Sequence, residues 1–250
     1  VKYLPEFGVN GKEKVTVREL LTHYSGLPPD VDLKDDWGLA KPDKAEGIRR
    51  AMNSTLTTAP GTHFEYSDIN YIVLGALVEK LSCESEDLYA LGHIFLPLGM
   101  RGTYYLPFSE ACGPHATFGA AIAPSFSPDI KYGVGCTDLA WNTLLMYDIA
   151  PTAHDDQGTA TTNPDFNHLL RGTVHDPTTR RMGGVAGQAG VFSTADDVSK
   201  FAQALLDKLL YDKGPFPLKQ STLQLMTTPQ QPATAQSGAT IFDRNGNPIT

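Results

Sequence analysis

The sequence predicts a mixed chain of α+β or α/β class, built as one large domain or as part of one. Three observations predict it. The 250 residues are 41% apolar, enough to bury a sizeable core. Several segments open with helix-capping residues and continue with apolar side chains at helical spacing. Runs rich in Pro and Gly separate them, and Asp243-Arg244-Asn245-Gly246-Asn247 has the composition of a hairpin turn.

The elements follow in order. Thr16-Val17-Arg18-Glu19 has capping-box form, in which the threonine hydroxyl accepts a free helix N–H and the glutamate reaches back to the cap N–H. A short helix should follow and end near Gly26. Residues 28 to 47 mix Pro, Asp, Lys and Gly without periodicity and read as a surface loop carrying Trp37. A second short helix is expected over Ala45 to Ser54. Ile69, Ile72, Val73, Ala76, Leu77, Val78 and Leu81 form a stripe broad enough for a buried helix, with Asp68 near its N-terminus, where a carboxylate caps free N–H groups. Another helix spans Asp87 to Leu96 and stops at Pro97 and Gly99. Residues 107 to 167 are the least regular part, the length and composition of a binding loop or of a solvated excursion. Order returns at Ser193-Thr194-Ala195-Asp196-Asp197, a second capping arrangement. The helix after it should bury Val198, Phe201, Ala202, Leu205, Leu206, Leu209 and Leu210. Ser221 to Thr228 make one more short helix.

Composition excludes some functions. A formal net charge of −8 offers no basic patch for nucleic acid and disfavours non-specific binding to anionic lipid. No apolar run reaches the length of a membrane span, and no signal-peptide pattern opens the chain, although Val1 is not a natural start. Cys83, Cys112 and Cys136 are odd in number and lack metal-site spacing, which argues against a disulfide framework.

Four segments carry the chemistry. The first is the turn Pro60-Gly61-Thr62-His63-Phe64-Glu65-Tyr66-Ser67-Asp68, which leads through Asn70 to Gly75. The others are Val15 to Leu27, containing Leu20-Leu21-Thr22-His23-Tyr24-Ser25-Gly26-Leu27; Ile94-Phe95-Leu96-Pro97-Leu98-Gly99-Met100; and Gly187-Gln188-Ala189-Gly190-Val191-Phe192-Ser193-Thr194-Ala195-Asp196-Asp197. In wording and order they resemble the penicillin-recognising serine hydrolases, which include class C β-lactamases, D-alanyl-D-alanine carboxypeptidases and esterases. That family's tyrosine motif reads Tyr-x-Asn with a glycine nine residues after the tyrosine. Tyr66 and Gly75 keep the spacing, and Asp68 replaces the asparagine. The resemblance implies a β-lactamase-like fold, an antiparallel sheet flanked by helices plus a mostly helical subdomain. The family's Ser-x-x-Lys nucleophile and its Lys-Thr-Gly or His-x-Gly element have no counterpart here. Residues 1–250 are therefore expected to be the central part of one domain, incomplete at both ends, with 109–148 as an insertion.

A free phenol titrates at about 10 and is a poor base unless positive charge favours the phenolate. Read alone, Tyr66 would pack its ring at a helix start and hydrogen-bond through its hydroxyl. The resemblance implies that Tyr66 is the general base that takes the proton of the nucleophilic serine and passes it to the leaving group. Asp68, Gln188 and His175 are the substrate-binding candidates. Asp68 also suits a helix cap; where an asparagine amide can donate to a substrate carbonyl, an ionised aspartate only accepts. That weakens a β-lactam substrate and favours an ester or a D-alanyl peptide. Gln188 stands where the resembling segment often has histidine, in a run that also reads as a tight structural turn. His175 and Asp176, if extended, point to opposite faces and cannot form a catalytic pair. His154-Asp155-Asp156 has metal-ligand types but reads as a solvated turn, and His23 as the holder of the turn after the first helix. The expected reaction is acyl transfer through a serine ester to water, on a small-molecule or peptide substrate, with no metal or cofactor implied. The 250 residues alone should be inactive. The resemblance favours a periplasmic or secreted location. The alternative is a non-catalytic relative that keeps the groove for ligand binding.

Overall fold

The computed structural model describes residues 2–39, 42–105, 150, 153–156, 159, 161, 166–167, 169–170, 174–230, 241–242 and 248–249. The expected insertion at 109–148 and the turn at 243–247 lie outside the described residues. The chain divides into two compact units. The first comprises Val1–Val31, Ile48–Tyr104 and Ser193–Thr250, and the second Asp32–Gly47 and Tyr105–Phe192.

In the first unit, helix α1 (Val17–Leu21) begins as its sequence dictates. Thr16 Oγ1 accepts the Glu19 N–H at 3.2 Å and Glu19 Oε2 accepts the Thr16 N–H at 2.8 Å. The helix stops before Gly26 because His23 turns the chain into the left-handed region at φ +60°. Gly26, at φ +79°, passes so close to the 57–58 segment that a Cβ would sit 2.2 Å from the Thr58 carbonyl oxygen. Its own carbonyl accepts the Thr57 N–H at 2.8 Å. Only glycine allows that approach.

Helix α2 covers Lys44–Asn53, one residue ahead of the expected segment. Helix α3 (Asp68–Ser82) packs on α1 and buries Ile69, Asn70, Ile72, Val73 and Gly75, while its C-terminal half emerges and leaves Leu81 58% exposed. With Leu4, Phe7, Leu20, Tyr24 and Leu27, these residues form the core of the unit. Helix α4 (Glu86–Ala90) runs into a π-helical turn over Leu91–Phe95 that ends ahead of Pro97. Lys12 is fully buried, its ammonium bonded to the Ser54 carbonyl and set 5.3 Å over the Phe7 ring.

Two later helices complete the unit. Helix α6 (Ala195–Tyr211) is capped by Thr194, whose Oγ1 accepts the Asp197 N–H at 3.2 Å. Asp197 is buried and accepts the Gly102 N–H at 2.7 Å, the Thr103 hydroxyl at 2.9 Å and the Lys200 ammonium at 2.8 Å. Lys200 foremost, with Gly102 and Thr103, holds its carboxyl below the usual range despite the opposing effect of burial. The apolar stripe expected to be buried on this helix is not: Val198 is 55% and Leu210 59% exposed. Among the described residues the helix packs mainly on α7 (Gln220–Met226) and through Phe201 on Phe216, at 5.3 Å between ring centroids, which covers only part of the stripe. Strands β5 (Ile241–Phe242) and β6 (Pro248–Ile249) pair antiparallel on either side of the expected hairpin turn, with Ile241 opposite Ile249.

The second unit is organised around a one-turn helix that the reading of the sequence missed, α5 (Pro177–Arg181). Asp176 is its N-cap, accepting the Thr179 N–H at 2.6 Å, and Pro177 follows at the first helical position. Arg181 is buried and donates to the carbonyls of Leu33 at 3.2 Å, Asp35 at 2.6 Å and Trp37 at 3.3 Å, so one guanidinium holds the Trp37 loop. Arg180, also buried, pairs with Asp155. Strands β2 (Ala153–His154) and β3 (Leu169–Leu170) are antiparallel, with Ala153 opposite Leu170. Strand β1 is Tyr104–Tyr105 and β4 is Val191–Phe192, so each strand among the described residues is two residues long. Among the described residues, no helix is long and apolar enough to cross a membrane.

Candidate active site

The tyrosine turn is fixed on both sides of Tyr66. The Glu65 N–H reaches the His23 carbonyl at 3.0 Å, and the Asp68 N–H reaches the Pro29 carbonyl at 2.7 Å. Between them, Ser67 is buried; its N–H donates to His23 Nδ1 at 3.1 Å and its hydroxyl to the Pro28 carbonyl at 2.6 Å. Tyr66 is left projecting, 57% exposed, from a backbone that is bonded at residues 65, 67 and 68.

Its ring lies against that of His23, with centroids 4.7 Å apart and planes tilted by 35°. Tyr71 lies 5.3 Å from the same imidazole and Phe64 5.9 Å. Asn70 is fully buried: its Oδ1 accepts the Ser25 hydroxyl at 2.5 Å, and its Nδ2 lies 3.1 Å from His23 Nδ1. Two N–H donors thus converge on His23 Nδ1, which must be unprotonated, and the proton of the neutral ring sits on Nε2. Burial also pushes the His23 pKa below its ordinary value. The Tyr71 hydroxyl donates to the Leu21 carbonyl at 3.1 Å, fastening α3 to the end of α1.

Asp68 occupies the first turn of α3, half-buried, two residues from Tyr66. It is not the cap: Ser67 holds the N-cap position, because its extended backbone ends the turn and Asp68 already has helical conformation. The N-terminal partial charge still favours a carboxylate there.

His175 and Gln188 belong to the second unit. His175 and Asp176 are not in a strand, as the sequence suggested, but at the entry to α5. His175 Nε2 lies 3.5 Å from Asp156 Oδ1, while Asp176 turns inward to cap the helix. Gln188 Nε2 lies 3.4 Å from Asp176 Oδ1. The segment around Gln188 is a tight structural turn, with Ala186 and Ala189 exchanging N–H···O bonds at 3.2 and 3.3 Å. The structure therefore places Tyr66 and Asp68 on one turn of the first unit, and joins Gln188 and Asp176 in the second.

His154-Asp155-Asp156 needs correction as well. Asp155 is fully buried rather than solvated, because the Arg180 guanidinium balances its charge. Asp155, Asp156 and His175 bring ligand atoms within 4.8 Å of one another, but the Asp155 carboxylate is already engaged by Arg180.

The sequence reading missed the Ser25–Asn70–His23–Ser67 network under the tyrosine. Its one visible signal was Asn70, a polar residue on the buried stripe of α3, which requires a partner.

Comparisons with known proteins agree with this architecture. The Beta-lactamase family model matches residues 1–242. An N-acetylmuramyl-L-alanine amidase of Bacillus subtilis is 29% identical over 255 residues, covering 98% of this chain and 51% of the relative. A protein of Escherichia coli K12 named as a D-alanyl-D-alanine carboxypeptidase is 26% identical over 216 residues, covering 82% of this chain and 43% of its own. The chain thus spans about half the length of the curated relatives it matches. A D-stereospecific amidohydrolase from Streptomyces superposes with a TM-score of 0.52 at 19% identity, over 91% of this chain and 56% of that one. A penicillin-binding protein from Bacillus halodurans gives 0.50 at 18%, over 90% and 58%. These structural likenesses show an α+β, β-lactamase-like fold. With the family model covering nearly all of its length, the chain belongs to the β-lactamase family.

Proposed function

We propose that the protein is a serine hydrolase acting by acyl transfer through a serine ester, and that Tyr66 is its general base. The substrate class we assign is an ester or a D-alanyl peptide. The observation that carries this reading is Tyr66 itself, an exposed phenol on a turn whose flanking residues are tied down. Such a ring is ready to meet a proton donor without reorganisation. In the proposed cycle a serine hydroxyl attacks the substrate carbonyl as Tyr66, in its phenolate form, takes the hydroxyl proton. Tyr66 returns the proton to the leaving group, and water then repeats the sequence on the ester.

Asp68, at the α3 N-terminus, accepts from an N–H or ammonium of the substrate, whereas a carbonyl gains nothing from it. His175 and Gln188 are proposed to line the substrate cleft. The names of relatives support the reading: the carboxypeptidase of E. coli and the amidase of B. subtilis are both hydrolases by name. A periplasmic or secreted location is proposed on the same ground. Residues 1–250 contain no Ser-x-x-Lys, no Lys-Thr-Gly and no His-x-Gly, so this chain by itself is proposed to be inactive.

The test is trapping. The intact protein containing this chain is incubated with a D-alanyl thioester and with a p-nitrophenyl ester, then quenched in acid for mass spectrometry. An acyl adduct on a serine is expected, and none on the 250-residue chain. No adduct on the intact protein, with the ligand nevertheless bound, would favour a binding relative that has lost catalysis.

A further inference from the structure

Resting on that reading, we infer that His23 is a positioning residue for Tyr66, and that its neutral imidazole fixes the direction in which the phenol is presented. Residue 23 sits at φ +60°, where Gly or Asn would be less strained. A histidine there is explained by what its ring touches. Nδ1 receives the N–H of Ser67, the residue next to Tyr66, at 3.1 Å, and lies 3.1 Å from the amide of Asn70 one turn into α3. The ring meets the Tyr66 ring at 4.7 Å and the Tyr71 ring at 5.3 Å. The His23 carbonyl accepts the Glu65 N–H from the other side of Tyr66 at 3.0 Å.

His23 therefore touches the turn at Glu65, Tyr66 and Ser67 by three kinds of contact, carbonyl, ring and ring nitrogen. The imidazole against one side of the Tyr66 ring restricts the rotamers open to this exposed side chain. Asn70 is held in turn by Ser25, which gives the histidine a rigid support.

The Asn variant separates these contacts. H23N keeps a backbone that tolerates φ > 0 and an oxygen that can accept the Ser67 N–H, but it removes the ring. Kinetics of the intact protein on a p-nitrophenyl ester should show kcat down by about tenfold or more in H23N with KM within about twofold, since misplacing a reacting group acts on the chemical step. In a Y66F background the same substitution should cost almost nothing further. Equal losses in both backgrounds, or H23N with full kcat, overturn the inference. If Y66F itself keeps full kcat, the base assignment has failed independently of His23.

A second measurement does not depend on a folded variant. Imidazole ¹⁵N spectra of the wild-type protein at neutral pH should show His23 protonated at Nε2 and bare at Nδ1, with contacts between the His23 and Tyr66 ring protons. A proton on Nδ1, or absent ring contacts, overturns it.

Discussion

The backbone N–H of Ser67 donates to Nδ1 of His23 at 3.1 Å, joining the turn after α1 to the first turn of α3 across 44 positions of sequence. This bond requires a bare Nδ1, and burial already disfavours the charged ring. Sign follows from linkage. With the folded pKa below the ordinary 6.5, the unfolded chain takes up a proton first as pH falls. The His23 contribution to stability is full above that value and is lost as pH drops through the folded pKa. Urea midpoints at pH 7.5, 6.5 and 5.5 should show the wild-type advantage over H23N shrinking toward low pH, and a constant difference would refute it.

The Asp197 carboxylate, buried under Gly102 and Thr103, should matter more than its exposed partner. D197A removes the acceptor of the Gly102 N–H and one of the two partners of the buried Thr103 hydroxyl, and is expected to cost about 1–3 kcal/mol. K200A removes an ammonium that is 41% exposed in its side chain, where solvent screens the pair, and should cost less than D197A. Chemical denaturation of the two variants checks the ranking.

In the second unit, R180A removes the guanidinium paired with the fully buried Asp155 carboxylate and should destabilise by about 3–5 kcal/mol. The paired replacement D155L/R180M should recover much of the loss, because both charges of the buried pair are removed together. Urea melts of single and double variants measure the coupling directly.

Gly190 and Gly99 offer a graded contrast. A Cβ on Gly190, at φ +126°, would lie 2.3 Å from the Gly184 carbonyl oxygen, whereas Gly99, at φ +70°, has nothing within 4 Å. G99A should cost only about 1 kcal/mol of backbone strain. G190A should lower the melting temperature several-fold more, since the backbone itself must move.

What the sequence revealed follows the range of each interaction. Thr16 with Glu19, Thr194 with Asp197, and the stop at Pro97 act within one turn, and each lies where the local pattern places it. The α3 stripe was legible because Ile69, Ile72 and Val73 repeat at helical spacing. Asp155 was misread because its burial depends on Arg180, 25 residues away. The exposed face of α6 was misread because periodicity shows that a face is apolar and not what covers it. Helix α5 was too short for periodicity, and only Asp176-Pro177 marked its start. The turn that carries Tyr66 into α3 was legible from Pro60-Gly61 and the apolar stripe after it, but the contact of Tyr66 with His23 exists only once α1 and α3 are packed together.

The most direct test of the central claim is the pair of kcat and melting temperature for Y66F in the intact protein. The phenol is exposed, so the fold should survive unchanged while kcat falls by about 10²–10⁴-fold, the range expected for loss of a general acid–base group. A folded Y66F that turns over ester at the wild-type rate would contradict the account.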